Sequence, residues 1–194
     1  MKFVYGVMTI VAVAAVSVAW AGGAGVGDTA PDFTLTDQNG AQVTLSKVEG
    51  LRVLEWVNPD CPFVQRHYKA GTMKRLAAEY AGKGVTWLSI NSTHYMDQES
   101  DQKFATAHGL TQHILSDPSG KVGHLYGAAT TPHMFVIDSG GKIVYAGAID
   151  DDPRGSAGDG ATNYVKAALD EVLAGKPVAT PETKPYGCSV KYAK

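Results

Sequence analysis

The chain has few cysteines: among its 194 residues, only Cys61 and Cys188 carry a thiol. In an exported protein an even number of cysteines suits either a structural disulfide or a catalytic pair. The sequence also lacks a run of Lys or Arg, and its formal net charge is only −2. Because nucleic-acid binding needs a basic patch, composition argues against that function. Internal repeats and low-complexity blocks are absent too, and the length suits one domain with a single sizeable core.

The N-terminus carries the chain's long apolar run. Met1 and Lys2 precede an apolar stretch from Phe3 to Val18, and Ala19-Trp20-Ala21 follows it. A basic start, an apolar centre and an A-x-A site are typical of a secretory signal peptide, with cleavage after Ala21. An uncleaved membrane anchor is the alternative, because the stretch is nearly long enough to span a bilayer. Both interpretations predict an exported protein, periplasmic or secreted, that contacts a membrane only if the segment is uncleaved.

The remaining chain alternates between strand and helix patterns. Strands are predicted at 30–36, 42–45, 52–57, 85–90, 113–115, 131–138 and 142–147, and helices at 62–80, 97–108, 121–126 and 163–174. Strand, helix and strand in succession imply a right-handed crossover between parallel strands. This order predicts an α/β fold, with a central mixed sheet flanked by helices and an N-terminal β-hairpin. We expect a signal peptide at 1–21, one domain at 22–175 and a tail at 176–194 that carries Cys188.

Cys61 lies between an apolar strand and a helix. The turn residues Asn58-Pro59-Asp60 precede it, and Pro62 follows as the first helical residue, a position that tolerates proline. Unpaired N–H groups and the positive end of the helix dipole favour an anion at such a junction. These are the conditions that lower the pKa of a thiol and make it a nucleophile. The junction therefore predicts a reactive cysteine.

Five segments carry a resemblance to a known family: Gly27 to Leu35, Asn58 to Val64, Thr131 to Asp138, Gly147 to Asp151 and Gly187 to Lys191. They resemble the thioredoxin-like redoxins, within the peroxiredoxin-like part of the alkyl hydroperoxide reductase/thiol-specific antioxidant family. The resemblance implies a thioredoxin-like fold and thiol redox chemistry without a cofactor.

The chain departs from the patterns of these relatives at three positions. Thioredoxins carry C-x-x-C, but Val64 stands where the second cysteine would be, so a local dithiol is impossible. A typical peroxiredoxin has Thr or Ser three residues before its reactive cysteine and Pro seven before it, and this chain has Asn58 and Leu54 there. An arginine that would polarise a peroxide cannot be assigned from the sequence.

The resemblance also implies roles for individual residues. Cys188 would be the redox partner of Cys61, and Pro132 would be the cis-proline that faces the reactive cysteine. Thr131 would offer its backbone to a substrate, beside Pro62. Glu55 matches the position of a buried acid that handles protons in thioredoxins, although a strand residue facing solvent or Arg52 is an equal alternative.

Two other interpretations compete with a catalytic pair. A permanent Cys61–Cys188 disulfide would close a very long loop and stabilise the fold by about 4–5 kcal/mol in the chain-entropy model. Cys61, His67 and His133 could instead ligate copper, because thiolate and imidazole suit that metal; otherwise His67 is expected to be a solvated helix residue. The acidic loop from Asp150 to Gly160 fits no EF-hand pattern and is expected to be solvated.

The sequence therefore favours an exported thiol–disulfide oxidoreductase or peroxiredoxin-like antioxidant protein. Cys61 would be the nucleophile and Cys188 the resolving cysteine. The partner would be a protein thiol or disulfide reductant, or a peroxide as substrate, and the choice stays open. The alternative is a copper-binding or structural periplasmic module of the same fold.

Overall fold

The computed structural model describes residues 22–194, so the predicted signal peptide lies outside the described residues. Within residues 22–194, no helix is both long enough and apolar enough to cross a membrane.

Nine strands and five α-helices make up this part of the chain. The strands are β1 Thr34–Asp37, β2 Gln42–Thr44, β3 Leu51–Trp56, β4 Val85–Asn91, β5 His113–Ser116, β6 Thr130–Thr131, β7 His133–Ile137, β8 Ile143–Gly147 and β9 Cys188–Ser189. The helices are α1 Pro62–Lys69, α2 Thr72–Ala81, α3 Gln98–His108, α4 Lys121–Leu125 and α5 Tyr164–Leu173. Short 3-10 turns occur at Leu45–Lys47 and Gly158–Gly160.

Seven strands form one mixed sheet in the order β2-β1-β5-β4-β3-β7-β8. The predicted parallel pair is confirmed, since β3 runs parallel to β4 with Val53 opposite Trp87. The two predicted hairpins, β1–β2 and β7–β8, are antiparallel. The predicted α/β class, with its mixed sheet and N-terminal hairpin, is therefore confirmed.

The two faces of the sheet bury separate apolar cores, because successive side chains of a strand point to opposite faces. Val53 lies in the core that receives α1, α2, α3 and α5. Leu54 and Trp56 lie in the other core, with α4 and residues near the N-terminus. Burial on both faces explains why β3 reads as a nearly continuous apolar run, and it makes β3 a rigid support for the loop that follows it.

The predicted long helix after Cys61 is two helices. Gly71 separates α1 from α2 and adopts a φ of 72°, which glycine tolerates better than other residues. The helix predicted over 62–80 is thus interrupted at this glycine. Other helix limits follow their caps, with Asp97 accepting the N–H of Ser100 at the start of α3 and Gly109 ending it.

The tail at 176–194, for which the sequence predicts no strand, contains one short strand. β9 pairs antiparallel with β6 in a separate two-stranded sheet, with Cys188 opposite Thr131. Further anchors hold the segment before it, where Thr183 donates its N–H to the carbonyl of Ala146 at 3.1 Å. A two-residue strand has no period to detect, so its position depends on the partner strand.

Candidate functional site

Cys61 is the N-cap of α1, as predicted, and Pro62 is the first helical residue. The preceding turn places it there, because Asn58 accepts the N–H of Asp60 on Oδ1 (2.8 Å) and the N–H of Cys61 on its carbonyl (2.9 Å). Asn58 is buried, and its side chain shapes the turn. The residue that replaces the peroxiredoxin Thr therefore positions the cysteine through the backbone.

The structure brings Cys61 and Cys188 together although 127 positions separate them in sequence. Their Sγ atoms lie 2.9 Å apart and both cysteines are free. Cys61 is only 1% exposed, whereas Cys188 is half-buried. The Cys61 sulfur also lies 3.0 Å from the carbonyl oxygen of Thr131. The pair is a dithiol already close enough for disulfide formation after a small movement.

The two thiols have opposite pKa perturbations. Burial raises the pKa of Cys61, but the net pKa is lowered, and hydrogen bonds from Cys188 and from the N–H of Val64 contribute to that lowering. Burial raises the pKa of Cys188 to about 11, together with its hydrogen bond to Cys61 and the charge of that thiolate. The arrangement therefore stabilises one thiolate, on Cys61, and the Cys188 thiol donates a hydrogen bond to it.

Thr131 and Pro132 form the wall opposite Cys61. The Thr131–Pro132 peptide bond is cis, which confirms the expectation from the resemblance. The Thr131 hydroxyl is buried without a hydrogen-bond partner among the described residues, so it is free to turn toward the sulfur. The backbone edge of Thr131, expected to receive a substrate, is paired with Cys188 of the tail. Pro62 is exposed beside the pair.

Glu55 is fully buried in β3, which excludes the solvent-facing interpretation, and Arg52 donates to the carbonyls of Val48 and Asp138 instead. One carboxylate oxygen, Oε2, accepts hydrogen bonds from Trp87 (2.8 Å), Tyr68 (3.0 Å) and Ser89 (3.1 Å). The other oxygen has no partner among the described residues. Burial raises the pKa of Glu55 to about 7, even though the three donors oppose the shift. Its carboxyl group therefore changes charge near neutral pH.

The expectation of a solvated His67 is wrong, because this side chain is only 4% exposed. Its Nε2 atom lies 2.9 Å from the hydroxyl of Tyr186, in the tail. The acidic loop is solvated over 153–158, as expected, but Asp150 and Asp152 are buried. His67 is covered because the tail and the loop after β8 pack against α1.

The copper hypothesis finds no support in the geometry. Among residues 22–194, no three side chains of His, Cys, Asp or Glu are grouped closely enough to hold a metal ion. His133 is buried and its Nδ1 atom accepts the N–H of Ala129 at 3.3 Å. Burial lowers the pKa of His133 to about 4. His67 and His133 thus serve separate local networks.

Arg52, Arg66 and Arg75 donate hydrogen bonds to backbone carbonyls. Arg52 donates to Val48 and Asp138, and Arg66 to Asp152 and Pro153. Arg75 donates to Ala70, likewise away from the thiols. None of these contacts prepares a guanidinium for a peroxide at Cys61.

Sequence reasoning missed Tyr186 and Gly187, which seat the tail on the site. A side chain on Gly187 would place its Cβ 2.1 Å from the carbonyl oxygen of Thr131, and the φ of Gly187 is 136°. The only available signal was a glycine directly before Cys188 in a segment without periodicity.

Comparison with known proteins agrees with this geometry. A sequence profile of the AhpC/TSA family matches residues 26–146, which include Cys61 and the cis-proline. The chain belongs to the AhpC/TSA family. Cys188 lies outside the matched region of this AhpC/TSA protein, so the family profile says nothing about the second thiol.

Individual relatives extend the comparison. The thiol-disulfide oxidoreductase ResA of Geobacillus thermodenitrificans is 34% identical over 119 residues, which span 61% of this chain and 66% of ResA, just under two thirds of its length. A crystal structure of an uncharacterized conserved protein from Geobacillus kaustophilus is 34% identical with a TM-score of 0.79, covering 87% of this AhpC/TSA protein and 92% of that chain. A hypothetical protein from Sinorhizobium meliloti 1021 is 32% identical with a TM-score of 0.78, covering 87% and 94%.

Proposed function

We propose that this AhpC/TSA protein is a thiol–disulfide oxidoreductase in which Cys61 is the nucleophile and Cys188 resolves the mixed disulfide. The observation that carries the proposal is the pair of free sulfurs 2.9 Å apart at the start of α1, one with a lowered and one with a raised pKa. The name of the ResA relative supports the same reaction class.

In the first step, the Cys61 thiolate attacks one sulfur of a substrate disulfide. A bond forms between Cys61 and that sulfur, the substrate S–S bond breaks, and the other half leaves as a thiolate. The lowered pKa of Cys61 increases the fraction of the thiol that is present as the nucleophilic thiolate.

In the second step, Cys188 attacks the Sγ atom of Cys61, and the remaining substrate half leaves. Cys188 is a poor nucleophile while Cys61 is charged, because that charge and hydrogen bond help raise its pKa to about 11. Formation of the mixed disulfide removes both causes. The pKa of Cys188 then falls, so its activation follows the first step in time. An external thiol reductant would restore the dithiol.

Glu55 is proposed to exchange protons during this cycle, with a pKa of about 7 that suits general acid–base work at neutral pH. Thr131 and Pro132 would form the wall opposite the substrate sulfur, since they face Cys61, while the backbone edge of Thr131 stays paired with Cys188. Export and a periplasmic or secreted location belong to the same proposal and are supported by the signal-like sequence of residues 1–21.

A peroxidase activity is the second candidate, supported by membership of the AhpC/TSA family. The Cys61 thiolate would attack a peroxide oxygen and become a sulfenic acid, and Cys188 would condense with it to a disulfide and water. Asn58 is occupied with the turn and the assigned arginines with carbonyls, so we expect this branch to be slow. Stopped-flow oxidation of Cys61 by hydrogen peroxide tests it, and a rate no faster than that of a free thiol eliminates it.

The main proposal is tested by alkylation of the reduced protein with iodoacetamide as a function of pH. Cys61 should react with an apparent pKa below that of a free thiol. Cys188→Ser keeps a hydroxyl donor beside the thiolate and should preserve most of this shift, whereas Cys188→Ala removes the donor and should raise the apparent pKa. Equal profiles for the two variants would contradict the assigned donor.

The equilibrium with glutathione separates a catalytic from a permanent disulfide. A catalytic Cys61–Cys188 pair should have a reduction potential in the range of exchangeable disulfides. A potential below about −300 mV would indicate a structural bond and remove the catalytic assignment.

A further inference from the structure

Tyr186 lies in the tail, two residues before Cys188, and its side chain holds the tail against α1. Its hydroxyl donates a hydrogen bond to Oδ1 of Asp150 and lies 2.9 Å from Nε2 of His67. Arg66 approaches the same oxygen at 3.4 Å. We call these four residues, Arg66, His67, Asp150 and Tyr186, the tyrosine latch. It joins α1, the loop after β8 and the tail at a single phenolic oxygen.

The charges around the latch suit a neutral phenol that donates. Arg66 and His67 face it from α1, and Asp150 faces it from the loop after β8. Asp152 accepts from Arg66 on its backbone carbonyl, and its charge acts on His67. Burial raises the pKa of Tyr186, so its proton stays in place. Burial also lowers the pKa of His67, with Asp150 opposing and Arg66 adding to that effect. A neutral His67 protonated on Nε2 can donate to the phenolic oxygen while that oxygen's own proton goes to Asp150.

The latch acts on the segment that carries the second thiol. Directly after Tyr186, Gly187 passes so close to Thr131 that no side chain fits. Cys188 then pairs with Thr131, and the N–H of Val190 donates to the carbonyl of Ala129 at 3.1 Å. Beyond the strand, Tyr192 donates its hydroxyl to the carbonyl of Ala128 at 2.7 Å. The tail is thus fixed on both sides of Cys188, and Tyr186 is the nearer side-chain anchor.

We propose that Tyr186 is a positioning residue that sets how fast Cys188 resolves a mixed disulfide on Cys61. The latch keeps the Cys188 sulfur beside Cys61 after the first half-reaction, so resolution within the chain outruns attack by an outside thiol. This inference rests on the proposed function, in which Cys61 attacks and Cys188 resolves.

The effect of the latch can be measured with a small aromatic disulfide as substrate, 5,5′-dithiobis(2-nitrobenzoate). The Cys61 thiolate attacks it, forms a mixed disulfide and releases one thionitrobenzoate. Cys188 loses its proton to solvent and attacks Cys61, and the second thionitrobenzoate leaves. The protein dithiol is oxidised by two electrons and the reagent is reduced to two thiolates.

The experiment compares the two releases in reduced wild type and in Tyr186→Phe at one equivalent of reagent. The first release is followed by absorbance, and the second by absorbance together with loss of the label from the intact protein's mass. Tyr186→Phe keeps the ring beside Phe63, whose centroid lies 6.0 Å away, but removes the hydroxyl. We expect the first rate to change less than threefold and the second to fall about tenfold. Tyr80→Phe is the matched control, because it also removes a phenol–aspartate hydrogen bond, in this case to Asp170 on α5, and Tyr80 lies outside the latch; both of its rates should match wild type.

The outcomes separate the latch from the proposed function. Two results would overturn the role of Tyr186 and leave the proposed function intact. The second release could be as fast in Tyr186→Phe as in wild type, or both releases could be slowed equally. A wild-type protein that keeps one label per chain overturns the role of Cys188 and, with it, the latch. If Tyr186→Phe melts well below wild type, Asp150→Asn replaces it. That variant weakens the acceptor of the phenol and should also slow only the second release, and unchanged rates there overturn the proposal.

Discussion

Glu55 gives this protein a dependence of stability on pH that a single substitution should remove. The pKa of its carboxyl group is raised from 4.5 to about 7 in the folded state by complete burial. At 1.36 kcal/mol per pH unit, this difference corresponds to about 3 kcal/mol. Because the folded pKa is the higher one, the stabilisation is fully present below pH 4.5 and is lost as the pH rises through about 7.

The substitution Glu55→Gln keeps the size of the side chain and cannot ionise. Its carbonyl oxygen can still accept from Trp87, Tyr68 and Ser89, but its amide takes the place of Oε1, which has no partner among the described residues. Leaving this amide unsatisfied costs about 1–3 kcal/mol at every pH. The informative quantity is therefore the change with pH of the variant's stability relative to wild type.

Urea unfolding of both proteins under reducing conditions, from pH 4.5 to pH 8, measures that quantity. The free energy of unfolding of Glu55→Gln minus that of wild type should rise by about 3 kcal/mol across the range. Asp101→Asn is the matched control, because Asp101 is also buried and its pKa is raised, mainly by burial, from 3.8 to about 6. The free energy of unfolding of Asp101→Asn relative to wild type should stop rising at a lower pH than that of Glu55→Gln. Parallel stability curves for Glu55→Gln and wild type would refute a buried carboxyl that ionises near neutral pH.

Two further predictions concern the tail and the cis-proline loop. Gly187→Ala places a Cβ against the carbonyl of Thr131, so it should displace the tail and slow Cys61–Cys188 disulfide formation at least tenfold. Gly82→Ala is the control, because nothing lies near its Cβ, and it should leave that rate unchanged. A Gly187→Ala rate equal to that of wild type would contradict the close approach of Gly187 to Thr131. Burial lowers the pKa of His133 from 6.5 to about 4, so its contribution to stability is present above pH 6.5 and lost as the pH falls through 4. His133→Gln should therefore gain about 3 kcal/mol relative to wild type between pH 7 and pH 4 by urea unfolding, and a constant difference would show that His133 is accessible to protons in the folded state.

Much of the fold could be predicted because its signals are local. The apolar runs predicted β3 and β4, and the turn residues before Cys61 predicted the start of α1 within one residue. The resemblance supplied the cis bond at Pro132, which local sequence alone leaves improbable. Helix and strand periods depend on neighbours along the chain, so one sequence suffices to find them.

The misses share a physical cause in contacts between distant segments. His67 was expected in solvent because its helical position gives no sign that Tyr186 and Asp150 cover it. β9 has two residues and exists only by pairing with β6. Burial of this kind is decided by which surfaces meet, and a pattern within one segment does not contain that information.

The sequence by itself determined that Cys61 caps a helix, that no second cysteine lies in that helix, and that any partner thiol must come from Cys188 or another molecule. Only the tertiary structure decided that the partner is at hand, 2.9 Å away, and that the two pKa values move in opposite directions. The reason is that a helix N-terminus is a local property, readable from the turn before it. The proximity of Cys188 instead depends on how the tail packs against the Thr131 edge and the tyrosine latch.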